Sequence, residues 1–194
     1  RLAVKETKLD SAIGGEGREA TVPHRALGEI AKAGVPDDAQ IELRRHESRI
    51  IVRWEGTTLV SRLLDGQFPN YRQLLQENFT SEVIISTDEL AQALRRVSLL
   101  AQKSARLRLK FTEGELQIGA QTQDVGEASE SIPAPWHGDD LEIGFNPDYL
   151  RAGLDNVSTE TVKLRLINPV RPMVLETTDD SAFTYLVMPL RLDV

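Results

Sequence analysis

The sequence predicts an α+β protein built from repeated domains of antiparallel strands and short helices. The main observation is an internal repeat, in which a helix and three strands occur twice with a nearly constant spacing of about 120 residues. The second is the alternation of apolar and polar residues in the strand segments, which is typical of half-buried strands. A constant spacing across four elements is hard to obtain by chance, although two unrelated α+β stretches are the alternative.

In the first copy, a helix is predicted over residues 21–30, and Gly34 closes it. Three alternating segments then predict strands: 41–45, 50–54 and 59–63. In the second copy, Asn146 and Pro147 predict a helix start, because Asn is a good N-cap and Pro suits the first helical position. Three strands follow that helix: 162–166, 173–176 and 185–189.

The residues before the second copy's helix also show a clear pattern. Ser86 or Thr87 can cap a helix whose first turn carries Asp88 and Glu89. Alternating strands follow at three segments, the last of them acidic: 107–111, 116–120 and 126–132. The counterparts of this front half in the first copy would precede residue 1. We therefore expect residues 1–79 to be the back part of an incomplete domain and residues 80–194 to be a complete one.

Composition excludes several classes of protein. The chain has 194 residues, a formal net charge of −7 and no cysteine. A missing cysteine excludes disulfide scaffolds, thiol nucleophiles and cysteine-bound zinc, and it favours a reducing cytoplasm. No apolar run approaches the roughly 18–20 residues of a membrane span, and the first residues lack the apolar core of a signal peptide. We expect a cytoplasmic protein with no membrane contact.

One predicted helix has a basic face. On a wheel of residues 88–106, the apolar side chains gather on one side and the cations lie opposite. Concentrating cations on a helix of an acidic protein indicates a local polyanion contact, while a solvated face with cations near the helix C-terminus is the alternative. Together with cations on the first-copy helix, the candidate DNA-binding residues are Arg25, Lys32, Arg95, Arg96, Lys103 and Arg106. No base-reading motif accompanies them, so contacts would be to phosphates.

Catalytic motifs are absent from the sequence. It contains no P-loop, no dinucleotide fingerprint and no zinc-protease or nucleophile-elbow motif. Residues 14–17 read as a turn, and the acidic pairs at 139–140 and 179–180 read as solvated loop residues. An enzyme is therefore the weaker hypothesis, and no catalytic residue, metal or cofactor is expected.

Two stretches are distinctive: Asp-Gly-Gln-Phe-Pro-Asn-Tyr at residues 65–71 and Tyr-Leu-Val-Met-Pro-Leu-Arg-Leu at residues 185–192. Both closely resemble the bacterial sliding clamp family, the β subunits of DNA polymerase III. Residues 1–4, 142–146 and 168–172 are also similar to that family, so the resemblance covers the whole chain. It implies a DNA clamp fold of repeated domains, each an antiparallel sheet with two helices packed on one face.

The resemblance also implies a function and a set of partners. A clamp of this family is a non-catalytic processivity factor, a head-to-tail homodimeric ring that encircles double-stranded DNA without sequence specificity. It tethers the polymerase catalytic subunit, the clamp loader and other proteins that carry a clamp-binding peptide motif. Each family polypeptide has three domains, of which this chain would hold part of the middle domain and all of the last domain.

Family site residues carry over to matching positions here. The implied peptide pocket consists of Leu2, Pro69, Leu74, Val170, Pro172, Leu186, Val187, Met188, Pro189, Leu190 and Arg191, with Asn146 and Tyr149 at the rim. Core packing explains Val187 equally well, and leucine at 74, 186 and 190 replaces the Val or Met of some relatives. The candidates for the subunit interface are Leu99, Asp124, Glu127 and Glu130.

Two other functions stay open at this stage. An α+β adaptor module that binds proteins and has no DNA role would not need its basic helices on one surface. A metal-dependent nuclease would need carboxylates clustered around a cation.

Overall fold

The computed structural model describes residues 1–7, 19–75, 78–99, 106–122, 126–179 and 182–192. These residues form two compact units, a smaller one over Asp10–Asn70 and a larger one that combines Arg1–Leu9 with Tyr71–Val194. The division into family domains at residue 79 stays a prediction. The turn expected at residues 14–17 lies outside the described residues, as does Asp180.

The described part of the chain contains three α-helices, which are His24–Lys32 (α1), Thr87–Ser98 (α2) and Pro147–Leu154 (α3). A short 3-10 helix spans Tyr71–Leu74. The strands are Leu2–Lys5 (β1), Glu42–His46 (β2), Arg49–Trp54 (β3), Thr57–Arg62 (β4), Ser81–Ser86 (β5), Leu107–Thr112 (β6), Glu115–Thr122 (β7), Gly126–Pro133 (β8), Leu141–Phe145 (β9), Thr161–Leu166 (β10), Met173–Thr177 (β11) and Phe183–Val187 (β12).

The larger unit contains two antiparallel sheets, which exchange strands. One has the order β8-β7-β6-β9 and the other β1-β12-β11-β10-β5. Each half of the unit supplies one strand, one helix and a three-stranded meander, and its first strand pairs with the meander of the other half. This exchange gives the larger unit an internal pseudo-twofold arrangement. β1 then extends the second sheet by pairing with β12.

A single apolar cluster joins both sheets and both helices of the larger unit. Helix α2 contributes Leu90, Ala93, Leu94 and Val97 to it. The strands contribute alternate residues, as in β6 and β10, where every second side chain is buried. Burying an aliphatic side chain of this size stabilises the fold by about 1.5–3 kcal/mol, so this cluster supports the packing of α2 and α3 across the sheets.

Local sequence signals explain where the two helices of the larger unit begin. The Ser86 Oγ accepts a hydrogen bond from the Glu89 N–H at 3.3 Å, and the Asn146 Oδ1 accepts one from the Asp148 N–H at 2.9 Å. Both caps are as predicted. Helix α2, however, ends at Ser98, well before the limit of 106 used for the wheel, and residues 100–105 lie outside the described residues.

The smaller unit contains α1 and the meander β2-β3-β4. Val52, Trp54 and Leu63 are buried in it, whereas α1 has no buried residue. The prediction that each copy of the repeat supplies one helix and three antiparallel strands is confirmed. Strands β1 and β5 were not predicted.

Candidate nucleic-acid and peptide interfaces

The two predicted DNA-binding arginines of α2 differ in their contacts. Arg95 is exposed and makes no ion pair with any residue that the structure describes. The Arg96 guanidinium is held by both carboxylate oxygens of Glu130 on β8, and its Nε donates to the Glu130 Oε2 at 2.9 Å. Hydrogen bonds from Arg96 lower the pKa of the Glu130 carboxyl, and the same bonds raise the pKa of Arg96.

The remaining predicted DNA-binding cations lie on other elements. Arg25 and Lys32 are exposed on α1, where the Lys32 Nζ lies 3.5 Å from the Glu29 Oε1. Lys103 lies outside the described residues. Arg106 was expected on the helix that carries Arg95, and this expectation is wrong: it directly precedes β6 in non-helical backbone. The wheel extended the helix too far because 3.6-residue periodicity continued past the structural end of α2.

Two of the residues predicted for the subunit interface, Glu127 and Glu130, lie on the edge strand β8. β8 is one of the two edge strands of its sheet, and Glu127 on it is exposed. The side chain of Leu99, just after α2, is 81% exposed. Glu130 is the partner of Arg96, and Asp124 lies outside the described residues. An edge strand offers unpaired backbone groups, and an exposed leucine offers apolar surface.

The larger unit contains most of the predicted peptide pocket, with Leu2 and Leu186 side by side. Leu2 pairs with Leu186, which in turn pairs with Val174. Leu186 and Val174 are buried but do not belong to the main apolar cluster. Because side chains alternate across a sheet, these residues lie on the opposite face from the core. Val174 was not predicted, since strand pairing is needed to see that it adjoins Leu186.

Val187 belongs to the core. Its side chain is fully buried and packs in the main apolar cluster with Tyr185. Of the two explanations left open for Val187, the structure supports core packing. The residues that remain open to solvent are instead Leu74, Tyr149, Val170, Met188 and Leu190, each at least 39% exposed. Arg191 is exposed and Pro172 and Pro189 are half-buried. Pro69 is exposed in the smaller unit.

The rim residues Asn146 and Tyr149 lie in and next to the first turn of α3. A cation–π contact and a hydrogen bond hold Tyr149 in place. Asn146 is the N-cap of α3. The Arg1 guanidinium lies over the Tyr149 ring at 4.4 Å, a cation–π contact that was not predicted. The Tyr185 hydroxyl donates to the Tyr149 carbonyl oxygen at 2.7 Å, and burial raises the pKa of Tyr185. These contacts fasten α3 to β12.

The C-terminal strap, Met188–Leu192, follows β12 and returns toward the other sheet. The Leu190 N–H donates to the Gly144 carbonyl oxygen on β9 at 2.8 Å. Pro189 has no N–H, so regular pairing stops at this point. The strap is therefore held against β9 at Leu190, and Met188 and Leu190 remain exposed.

No group of three or more potential metal ligands occurs among the described residues, and none of their helices is long and apolar enough to cross a membrane.

Solved structures with the same fold identify the class of protein. A putative DNA polymerase III beta subunit from Eubacterium rectale matches with a TM-score of 0.90 and 26% identity, over 98% of this chain and 52% of that one. A sliding clamp from Pseudomonas aeruginosa, solved bound to griselimycin, matches with a TM-score of 0.88 and 29% identity, over 95% and 50%. The fold is thus that of a DNA sliding clamp.

Sequence comparisons then give the family. The profile for the C-terminal domain of the DNA polymerase III beta subunit matches residues 72–191, and the profile for its central domain matches residues 1–70. The beta sliding clamp of Synechococcus elongatus is 36% identical over 99% of this chain, and that of Proteus mirabilis is 31% identical over 99%. The chain belongs to the DNA polymerase III beta subunit family, and it spans about half the length of these curated relatives, 52% in each case.

Proposed function

We propose that this chain works as part of a processivity factor of the bacterial replicative DNA polymerase. In this proposal it contributes to a ring-shaped sliding clamp that encircles double-stranded DNA without sequence specificity, and it has no catalytic activity of its own. The observation that carries the proposal is the match of two consecutive clamp domains over residues 1–70 and 72–191. Such a factor would act in the cytoplasm, where the polymerase works.

The proposed DNA contact is electrostatic. Arg25 and Lys32 on α1 and Arg95 and Arg96 on α2 are the cations we assign to it, with Lys103 and Arg106 beyond the end of α2. Exposed cations on helices attract phosphates without reading bases, which suits a protein that must slide. Arg95 is the strongest single candidate, because the guanidinium of Arg96 is already engaged by Glu130.

The proposed binding site for polymerase and other partners is the surface around the strap. Exposed Met188, Leu190 and Val170 offer apolar contacts, and a thioether side chain such as that of Met188 adapts to several ligands. The other residues of the larger unit that we assign to this site are Leu74, Asn146, Tyr149, Pro172, Arg191 and the buried Leu186. A related Pseudomonas aeruginosa clamp was solved bound to griselimycin, so a clamp of this fold can hold a ligand. For this chain we propose that the surface around the strap is the ligand site.

The proposed closure of the ring uses the β8 edge. Glu127 and Glu130, with Asp124 beyond the described residues, would meet cations of a second subunit, and Leu99 would fill an apolar contact. A head-to-tail interface closes into a ring of two subunits only if it relates one subunit to the next by a rotation of about 180°.

A chimeric clamp tests the proposal directly. This chain would replace the matching part of the Synechococcus elongatus beta sliding clamp, to which it is 36% identical. After loading on nicked circular DNA, the chimera should stay bound through gel filtration and should be lost once the DNA is linearised, because a ring slides off free ends. In its presence, the cognate polymerase should also synthesise longer products in each binding event.

Assembly of the chimera serves as the control. A chimera that forms dimers by sedimentation but is not retained on circular DNA would contradict the sliding-clamp function. Retention that persists after linearisation would indicate ordinary DNA binding rather than encirclement. An adaptor with no DNA role would give peptide binding without any retention.

A further inference from the structure

The strap packs closely against strand β9 at Gly144. Gly144 is buried, and its carbonyl oxygen accepts the one strap hydrogen bond described above, from the Leu190 N–H. A Cβ added at Gly144 would lie 2.7 Å from the Leu192 Cδ2 and 2.9 Å from the Leu190 carbonyl oxygen. Both distances are below any normal carbon contact, so a side chain at this position and the strap exclude each other.

Glycine is needed at position 144 because the strap leaves no space there for a side chain. The backbone of Gly144 lies in an ordinary strand, paired with Arg108 of β6, and it is not among the glycines with positive φ. Conformational freedom therefore does not explain the residue. The close approach of Leu190 and Leu192 does explain it.

Few other contacts with described residues hold the strap in place. At its start, Val187 is fully buried in the core. Met188 is 52% exposed, Pro189 donates no hydrogen bond and Arg191 is exposed. The positions of Met188 and Leu190 thus depend on two points, the core anchor at Val187 and the contact with Gly144.

We infer that Gly144 and Leu192 are positioning residues for the peptide pocket: they seat the strap on β9 and so fix the groups that a partner peptide contacts. The inference rests on the proposed function, because it assigns a role within that same pocket. Neither residue is proposed to touch the peptide. They act through the backbone of Leu190 and through the placement of Met188.

The test uses this chain with three substitutions. Gly144→Ala introduces the clash. Gly119→Ala is the matched control, since it lies in the same sheet and its Cβ would meet nothing closer than the Ala128 carbonyl oxygen at 3.7 Å. Gly144→Ala combined with Leu192→Ala removes the side-chain part of the clash and leaves the backbone part.

Two measurements separate seating from binding. Hydrogen exchange at the Leu190 amide, followed by NMR, reports the bond to Gly144. Fluorescence anisotropy with a labelled clamp-binding peptide from a polymerase, with a Leu or Phe anchor, reports the pocket. We expect Gly144→Ala to accelerate exchange at Leu190 and to weaken peptide binding about tenfold, as overpacking of a tight contact does. Gly119→Ala should change neither. The double variant should regain only part of the affinity that Gly144→Ala loses, because the backbone part of the clash remains and Leu192 no longer seats the strap.

The outcomes distinguish this inference from the proposed function. If the unchanged chain fails to bind the peptide, or binds equally a peptide whose anchor is replaced by Ala, the pocket itself is wrong. If the unchanged chain binds specifically and Gly144→Ala binds as tightly, the role of Gly144 is wrong and the pocket stands. Equal losses in Gly144→Ala and Gly119→Ala would show general destabilisation and would overturn the positioning role.

Discussion

The two units carry the same repeated element, a helix and a three-stranded meander, yet they bury it to different extents. Leu150 on α3 and Leu164 on β10 are fully buried, whereas Leu27 on α1 is 52% exposed and Leu43 on β2 is 64% exposed. In the larger unit, β5 pairs with β10 and a second sheet with α2 completes the core. The described part of the smaller unit contains one three-stranded sheet. An amphipathic pattern thus produces burial only where a second layer covers it.

The largest effect should come from truncating equivalent leucines in the two units. Leu164→Ala should lower the free energy of unfolding of the larger unit by about 2–5 kcal/mol, because it leaves a cavity in the core. Leu43→Ala, on an exposed face, should change the smaller unit by less than about 0.5 kcal/mol. Urea unfolding can follow Trp136 in the larger unit and Trp54 in the smaller one, each in a chain whose other tryptophan is replaced by Phe.

Equal losses for the two leucines would break the comparison. They would mean that the apolar face of the meander in the smaller unit is covered in solution, for instance by self-association. Sedimentation at several protein concentrations would then reveal the associated species.

The second prediction compares the peptide affinity of two variants of the larger unit, one with an exposed apolar residue of the proposed pocket replaced and one with such a residue outside it. Met188→Ala should weaken binding of the polymerase-derived peptide roughly tenfold, because a buried anchor of this kind contributes about 1–2 kcal/mol. Ile84 is 43% exposed on β5 and is not part of the proposed pocket, so Ile84→Ala is the matched control. Titration by fluorescence anisotropy gives both affinities. A similar loss of peptide affinity in the two variants would contradict a special role of the strap in binding.

The third prediction concerns how the helix is fastened in the larger unit. Tyr185→Phe removes the hydrogen bond to the Tyr149 carbonyl and should cost about 0.5–1.5 kcal/mol in the free energy of unfolding. Helix α1 has no buried residue, so the described part of the smaller unit offers no counterpart. Thermal unfolding monitored by circular dichroism at neutral pH provides the measurement, and an unchanged midpoint would show that packing alone holds α3.

The same tyrosine predicts a pH dependence. Burial raises the pKa of Tyr185 in the folded chain above that of an unfolded tyrosine, about 10. Above that pH the unfolded chain binds fewer protons than the folded one, so this contribution to stability is complete below about pH 10 and declines as the pH rises further. The alkaline decline should be smaller in Tyr185→Phe. An identical decline in both proteins would assign it to other groups.

The smallest effects should appear in DNA binding, where the two units are expected to behave alike. Arg25→Gln in α1 and Arg95→Gln in α2 should each reduce the slope of log K against log salt by about 1, as for the loss of one phosphate contact. Arg96→Gln should change the slope less, because Glu130 already engages its guanidinium. Anisotropy with a labelled duplex at several salt concentrations measures the slopes. A larger effect at Arg96 than at Arg95 would contradict this ranking.

Several site assignments show where sequence reasoning reached its limit. The wheel placed Arg106 with Arg95, but periodicity does not reveal where α2 ends. The alternation along β12 left Val187 between a pocket and a core explanation, and only its packing with Tyr185 decided between them. The DNA-binding role of Arg96 and the interface role of Glu130 remain predictions, and their ion pair shows that the two roles are not independent.

The sequence alone determined the α+β class, the repeat, the caps at Ser86 and Asn146, and the strands of the three meanders, because each depends on local periodicity or on a single capping side chain. The tertiary structure decided what local rules do not contain: the pairing of β5 and β1, the ion pair between Arg96 and Glu130, and the seat of the strap on Gly144. These contacts join residues that are far apart in the chain. Whether a pattern becomes a core, a pocket wall or an exposed face depends on which distant segment packs against it.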